Sequence, residues 1–381
     1  MTTIGIDIRM LARKNKTGIE EYASELLSHM LGLDSEIRFK LFYNGWKKSE
    51  LDYGWLRLPN VELCEHRIPN RLLDGTSRLL DAPRIDRLLG GVDKFFSPHI
   101  FLSTTSARCE KIVTFHDLSF EKYPEFYSFQ KNFWHFSMAP RRQAEKADKI
   151  IAVSESTKED LVEIYGIDPA KIKVIYSGLD PASTRPVSPE EKTRIREKYR
   201  LPENYVLYLG TLEPRKNIVS LINAFEKAKS RAALKDSGFK LVIAGGKGWL
   251  YDDIFRAADR LCSQSDTIFT GSVEEIDKPA LYAMARVFVY PSFYEGFGFP
   301  PLEAMAQGVP VITSDISSIP EAVSSHALLI NPSHPDELLE ALTNVLTDAK
   351  LSQKLSSLGK ARIRAFDWEK CARETLDYIV S

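Results

Sequence analysis

The sequence is poor in cysteine, with four in 381 residues. Cys64, Cys109, Cys262 and Cys371 stand singly, with no CxxC pair and no histidine at metal-ligand spacing. That excludes a small secreted disulfide scaffold and a cysteine-built zinc site, and it suits buried thiols in a reducing compartment. Charge of a prevailing sign is also missing: 51 basic against 52 acidic side chains leave a net charge of −1. No whole-chain attraction to nucleic acid follows, and any anion site has to be local. An apolar run of about 18 residues, enough to cross a membrane, does not occur. The first residues, "MTTIGIDIRML", lack a basic stretch followed by an apolar core. These absences lead us to expect a soluble, cytoplasmic chain, with peripheral contact at the inner face of the membrane left open. No DxD set of carboxylates is present to hold a divalent ion against a diphosphate, and "YDDIF" reads as a helix start, so no metal site and no cofactor are expected.

What the chain has instead is rhythm. Short β-branched runs alternate with amphipathic stretches: "TIGIDI", "IRFKLFYN", "KIVTFHD", "KIIAVSE" and "KIKVIYSG" in the first half, then "NYVLYLG", "KLVIAGG", "TIFTGSV", "RVFVYPS", "VPVITSD" and "ALLINP". Strands alternating with helices predict an α/β protein with doubly wound parallel sheets. The length suits two domains of about 100–200 residues each. Gly178, Pro181, Pro186 and Pro189 concentrate chain breakers between two complete series, which places a linker near 178–190, an N-terminal domain over 1–180 and a C-terminal one from 190. Two such domains facing each other would turn the carboxyl ends of both sheets toward one cleft.

Two loops at strand ends carry the chemistry. "YEGFGFPPLEAMAQGVPVI", from Tyr294, follows the strand "RVFVYPS". Gly296 and Gly298 permit positive φ and close approach of backbone amides, and Pro300 and Pro301 preset a helix start. A helix N-terminus behind glycines attracts anions, while Glu303, read as lying near the first turn, and Glu295 can each accept from hydroxyls of a polar ring. Taken alone, the stretch has a second, less favoured reading as a surface loop with an acid well placed at a helix start. "YLGTLEPRKN" follows another strand, with Gly210 and Thr211 at its end and Arg215, Lys216 and Asn217 just before a helix. A planar bidentate donor beside a compact point charge suits a diphosphate, although a basic pair before a helix is often a solvated cap.

With both loops in view, "EGFGFPPLE" resembles the glutamate pair of the retaining glycosyltransferases of family four, and "GTLEPRKN" resembles their phosphate-binding loop. The resemblance spans the whole chain and is most specific from Tyr205 to Pro332. It implies the two-domain GT-B architecture. It also implies that Glu303 binds ribose hydroxyls, that Glu295 binds hydroxyls of the donor sugar, and that Phe297 and Gly298 present amides to the hexose, with Gly296, Phe299 and Leu302 in the same donor loop. Arg215 and Lys216 would neutralise the leaving diphosphate. "GIDIRMLARKNKTGIEEYASELL" resembles the family's first strand and glycine-containing loop, with Gly18 close to the donor phosphates, but the second glycine or basic residue of many relatives is absent from "TGIEEY". "TFHDL" resembles the segment beside the donor hexose, which assigns His116 and Asp117. "DWEKCARETLDYI" resembles the helix that crosses back to the first domain, so 190–360 and 361–381 are read as separate parts.

Other stretches keep two readings. His116 at a strand end is a cap or a satisfied structural group on one, and a hydrogen-bonding or proton-handling group on the other. "IAGGKGW" lacks the full GxGxxG spacing, so Gly245, Gly246 and Lys247 are read as a base-side loop rather than a dinucleotide fingerprint. "FYSFQKNFWHFSMAPRRQAEKADK" interleaves Phe126, Phe129, Phe133, Trp134 and Phe136 with basic residues, as a helix lying on an anionic membrane does, yet aromatics at this spacing more often face a core. "NRLLDGTSRLLDAPRIDRLL" stands the same way.

The resemblance therefore implies an enzyme that transfers a hexose with retention from a nucleotide diphosphate sugar to a glycan or lipid-linked glycan. "IGIDIRML", "TFHDLSF" and "VSESTKEDL" look most like bacterial mannosyltransferases of surface polysaccharide such as O-antigen, which makes GDP-mannose the first donor and a UDP-hexose the next. A non-catalytic sugar-nucleotide-binding module is the rival, and a nicotinamide-dependent oxidoreductase the distant third.

Overall fold

The computed structural model describes residues 2–12, 18–45, 51–231, 233–235, 237–261 and 266–381. The backbone divides into two compact units. The first holds Met1–Lys122, Phe129–Gly178 and Asp367–Ser381; the second holds Tyr123–Ser128 and Leu179–Phe366.

In the first unit, β1 (Thr3–Asp7), β2 (Arg38–Asn44), β3 (Val61–His66), β4 (Lys94–Ser97), β5 (Glu110–Phe115), β6 (Lys149–Ala152) and β7 (Ile172–Val174) form one sheet in the order β3-β2-β1-β4-β5-β6-β7. In the second, β8 (Tyr205–Leu209), β9 (Lys240–Ala244), β10 (Thr267–Gly271), β11 (Val287–Tyr290), β12 (Val311–Ser314) and β13 (Leu328–Ile330) run in the order β10-β9-β8-β11-β12-β13. Every pairing is parallel. The expected α/β class with two parallel sheets is what the chain adopts. β8, "YVLYL", is buried along its whole length, as a central strand covered on both faces must be.

Two strands were not expected from the sequence. β3, "VELCEH", is an edge strand whose charged residues face solvent, and β4, "KFFS", is only four residues long. The prolines read as linker breakers also differ: Pro181 and Pro189 each open a helix, Pro181–Thr184 capped by Asp180 and Pro189–Tyr199 capped by Ser188. Proline is suited to that first position because the N–H it lacks would be unpaired anyway. The core-facing reading of the aromatic stretch fails for Phe129, Phe133 and Phe136, which are exposed.

The order of strands reverses between β1 and β4 in one sheet and between β8 and β11 in the other. Loops at the carboxyl ends of such neighbours diverge and leave a crevice, the usual ligand position in open parallel sheets. In the second unit β8 and β11 pair in register, Val206 with Val287 and Leu207 with Phe288. Both sequence-selected loops therefore leave the sheet side by side.

The last helix, Trp368–Val380, belongs to the first unit, capped by Asp367, whose Oδ1 accepts from the amides of Glu369 (2.7 Å) and Lys370 (3.1 Å). Trp368 lies 5.9 Å from the ring of Tyr22 on the Gly18–Met30 helix, and both side chains are buried. Gly178 lets the chain pass beneath Trp368, because a Cβ there would collide with that residue's amide nitrogen and indole. Among the described residues, no helix is long and apolar enough to cross a membrane. Gly178→Ala should cost about 1–3 kcal/mol in urea unfolding through overpacking, whereas Gly54→Ala, where a Cβ meets nothing within 4 Å, should leave the midpoint unchanged.

Candidate functional site

The loop after β8 runs from Gly210 and Thr211 into a single 3-10 turn, Pro214–Lys216, and then into the helix Ile218–Lys229. Asn217 joins the two in the left-handed conformation, φ 56°, which asparagine tolerates better than most residues. Its side-chain amide donates to the carbonyl of Pro332 at 3.0 Å. That bond commits the Asn217 amide to holding the loop after β13.

The loop after β11 is fastened by hydroxyls. Ser314 Oγ donates to Ser292 O (2.6 Å), Ser318 Oγ to Glu295 O (2.9 Å), and the Glu295 amide donates to Ser317 Oγ (3.0 Å). The Phe293 amide donates to Arg215 O at 2.9 Å, tying the two loops together.

Across this junction lies a buried ion cluster. Lys216 Nζ donates to Glu295 Oε1 and to the Tyr290 hydroxyl, each at 2.6 Å. Arg215 reaches the other oxygen, Oε2, at 3.1 Å through Nη1, which also donates to the carbonyl of Tyr294, while its Nη2 and Nε hold Glu213 Oε1 at 2.8 and 3.1 Å. Lys216, Glu213 and Glu295 are buried. Burial by itself would raise the Glu295 carboxyl, but the charges of Arg215 and Lys216 and the hydrogen bond from Lys216 outweigh it and hold the pKa at about 2. Burial and the neighbouring Arg215 lower that of Lys216, opposed by the two glutamates. The structure thus brings together three sequence-selected residues, Arg215, Lys216 and Glu295. It adds two the sequence reading missed, Glu213 and Tyr290; the acid two places before Arg215 in "LEPRK" was the available signal.

The helix after this loop is Phe299–Ala306. Gly298 enters it at φ 102°, and a Cβ there would come 2.7 Å from Ile319 Cδ1. Two expectations need correction. Pro300 and Pro301 remove two of the four unpaired amides that begin a helix, leaving those of Gly298 and Phe299. Glu303 lies beyond the first turn because the helix starts at Phe299; it is buried, and its Oε2 accepts from the Tyr282 hydroxyl at 2.6 Å. The Leu302 side chain is fully buried, and Phe297 packs edge-on against Phe299 and Phe366 at 5.1 and 5.5 Å.

Beside the cluster, the ends of β8 and β9 continue as paired loops. The Leu212 amide donates to Gly246 O (2.9 Å) and the Gly248 amide to Leu212 O (3.1 Å). Gly245, at φ 141°, lies so close to Gly210 that a Cβ would fall on its carbonyl oxygen. Leu212, Gly245, Gly246, Lys247, Phe255 and Ser272 line much of a hollow of about 350 Å³, with Lys247 Nζ 4.9 Å from the Phe255 ring centroid. Thr211 is exposed beside it.

Gly18, His116 and Asp117 belong to the first unit. His116 follows β5 and faces Pro98 O through Nε2 at 2.8 Å, with Tyr22 edge-on at 4.8 Å. A carbonyl can only accept, so Nε2 carries the proton; burial lowers the pKa, and the neutral ring keeps its lone pair on Nδ1. Asp117 caps the following turn, accepting from the Ser119 amide (3.0 Å) and hydroxyl (2.6 Å). Gly18 is the exposed first residue of its helix, and residues 13–17 before it lie outside the described residues. Among the described residues, no group of three or more histidines, cysteines or acids is placed to hold a metal ion.

A family model described as "Glycosyl transferases group 1" matches residues 190–362, and one described as "Glycosyltransferase Family 4" matches residues 17–183. The chain is 32% identical over 286 residues to the O-antigen chain mannosyltransferase B of Escherichia coli, covering 74% of this chain and 71% of that protein. It is 30% identical over 294 residues to the serotype-specific mannosyltransferase WbdA of Escherichia coli, covering 75% of this chain but only 36% of that longer one. Among solved structures, sucrose-phosphate synthase from Thermosynechococcus elongatus matches with a TM-score of 0.74 at 20% identity, over 99% of this chain and 98% of that one, a likeness of fold.

The cluster makes stability depend on acid in a defined window. Glu295 has a depressed pKa, so its contribution is complete above the ordinary 4.5 and is lost as the pH falls toward about 2. Between those limits the wild type should lose on the order of 3 kcal/mol more than Glu295→Gln does, measured by urea unfolding at a series of pH values.

Proposed function

The chain belongs to the group 1 and family 4 glycosyltransferases, and from that premise we propose that it transfers mannose from GDP-mannose, with retention of configuration, to a hydroxyl of a glycan or lipid-linked glycan. The observation that carries the donor assignment is the buried Glu295–Lys216–Arg215 cluster at the carboxyl ends of β8 and β11. Without a ligand, two cations and two carboxylates neutralise one another there. An incoming diphosphate offers the cations a stronger partner, and Glu295 is then free to accept from hydroxyls of the sugar. Mannose is favoured because the matching relatives are mannosyltransferases.

The remaining roles extend this reading. Glu303 offers Oε1, with Lys278 Nζ 3.9 Å from it, to ribose hydroxyls, since Oε2 is held by Tyr282. Gly245, Gly246 and Lys247 edge a hollow suited to the base. The Gly298, Phe299 and Thr211 amides serve the donor's oxygens, while the Gly210 amide is held by Ala244 O at 2.9 Å. The family resemblance assigns His116 a hydrogen bond to the hexose and Gly18 a role toward the donor phosphates.

In the reaction, the anomeric carbon loses its bond to the diphosphate oxygen, and the electron pair leaves with the diphosphate. The acceptor oxygen bonds to that carbon on the same face, and its proton passes to the departing phosphate oxygen. Charge grows on the diphosphate as this happens. Preorganised Arg215 and Lys216 therefore stabilise the transition state more than the ground state, and no metal ion is required for that task. A lipid-linked acceptor would bring the chain to the cytoplasmic face of a membrane.

Kinetics with GDP-mannose and a mannoside acceptor test this reading. Lys216→Ala should lower kcat/KM by about 10²–10³, and Glu303→Ala should chiefly raise KM for the donor, by about tenfold or more. Activity should persist in EDTA. GDP binding without product over a broad acceptor panel would point to a non-catalytic module, and turnover with UDP-hexoses alone would reassign the donor.

A further inference from the structure

Six of the ten large apolar side chains exposed among the described residues lie on two helices of the first unit. On Asn70–Leu80, Leu72, Leu79 and Leu80 are 56%, 82% and 71% exposed; on Phe129–Met138, Phe129, Phe133 and Phe136 are 84%, 61% and 67% exposed. Spacings of four and seven put the three phenylalanines on one stripe, and Leu72 and Leu79 on another. The stripes are neighbours. Arg78 donates to the carbonyls of Phe136 and Ser137, both at 3.2 Å, and its guanidinium lies 4.6 Å from the Phe136 ring centroid. Arg142 and Lys146, from the following helix Pro140–Lys146, hold Asp81 at the end of the leucine helix at 3.0 and 2.6 Å.

Charge around this surface leans basic, although the whole chain is near neutral: the leucine helix carries Arg71 and Arg78 against Asp74. The phenylalanine helix and its successor carry Lys131, Arg141, Arg142 and Lys146 against Glu145 alone. Asp81 is neutralised by its two partners, and Arg71 and Lys131 are exposed beside the stripes. Exposed phenylalanine and leucine in a contiguous patch are costly in water and mark an interaction site. Apolar stripes flanked by lysine and arginine match an acyl boundary beneath anionic headgroups.

We infer that this two-helix face docks the protein onto the surface of an anionic lipid bilayer, with the phenylalanines and leucines in the acyl boundary and the basic side chains among the headgroups. The docking needs no substrate, so its failure would leave the assigned reaction standing.

The full chain is tested by flotation with vesicles of phosphatidylcholine alone and of phosphatidylcholine mixed with phosphatidylglycerol. It should float with the mixed vesicles, and added salt should weaken this. The triple variant Phe129→Ser, Phe133→Ser, Phe136→Ser should reduce binding at least about tenfold through lost apolar burial while keeping its thermal midpoint and its turnover of a soluble acceptor. Arg71→Glu with Lys131→Glu should abolish the preference for anionic vesicles. Equal binding to both vesicle types, no binding to either, or a triple variant that floats like wild type would overturn the inference. So would a dimer in sedimentation that the triple variant dissociates, since a second copy would then be the occupant.

Discussion

One carboxylate, Glu295, bridges the buried Lys216 and the part-buried Arg215 across the loops of β8 and β11. It ties the two loops that carry the cations to each other. Burying charge is expensive, and removing one partner of such a pair leaves the other uncompensated, commonly at a cost of about 3–5 kcal/mol. A cluster of this kind is weak evidence for stability as such. Its value lies in preorganisation: the cations are desolvated and aimed before a ligand arrives, so an anion that displaces Glu295 exchanges one negative partner for another without paying again for burial. The tyrosines beneath the cluster fit this role. Tyr208 and Tyr290 stack at 5.9 Å, and burial holds both phenols well above their ordinary pKa, so each stays a neutral dipole.

The sheet supplies the placement. Because β8 and β11 are neighbours where the strand order reverses, two loops about 80 residues apart in sequence emerge together. Hydroxyls of Ser314, Ser317 and Ser318 then fix the Glu295 backbone, and the close approach of Gly245 to Gly210 seals the neighbouring loops. Rigid elements and short polar ties do the positioning.

Much of this was legible in the sequence because it is local. All six strands of the second sheet are apolar runs ending in glycine, proline or polar residues, and the two loops carry their chemistry in contiguous residues. What was not legible depends on distance or on context. The direct contact of Glu295 with Lys216 joins residues with no local pattern between them. β3 escaped because it is a charged edge strand, and β4 because its apolar run is only Phe95 and Phe96. Pro181 and Pro189 break a chain or begin a helix equally well, and only the caps Asp180 and Ser188 decide. The period of Phe129, Phe133 and Phe136 is the same on a core face and on a bare one, so periodicity alone could not say which side was covered.

The central claim is that Glu295 holds the place of a diphosphate. A crystal structure with GDP bound tests it most directly. The account predicts a β-phosphate oxygen within hydrogen-bonding distance of Lys216 Nζ and of the Arg215 guanidinium, with the Glu295 carboxylate turned away from at least one of them. A diphosphate bound elsewhere, with both Glu295 ion pairs intact, would contradict it.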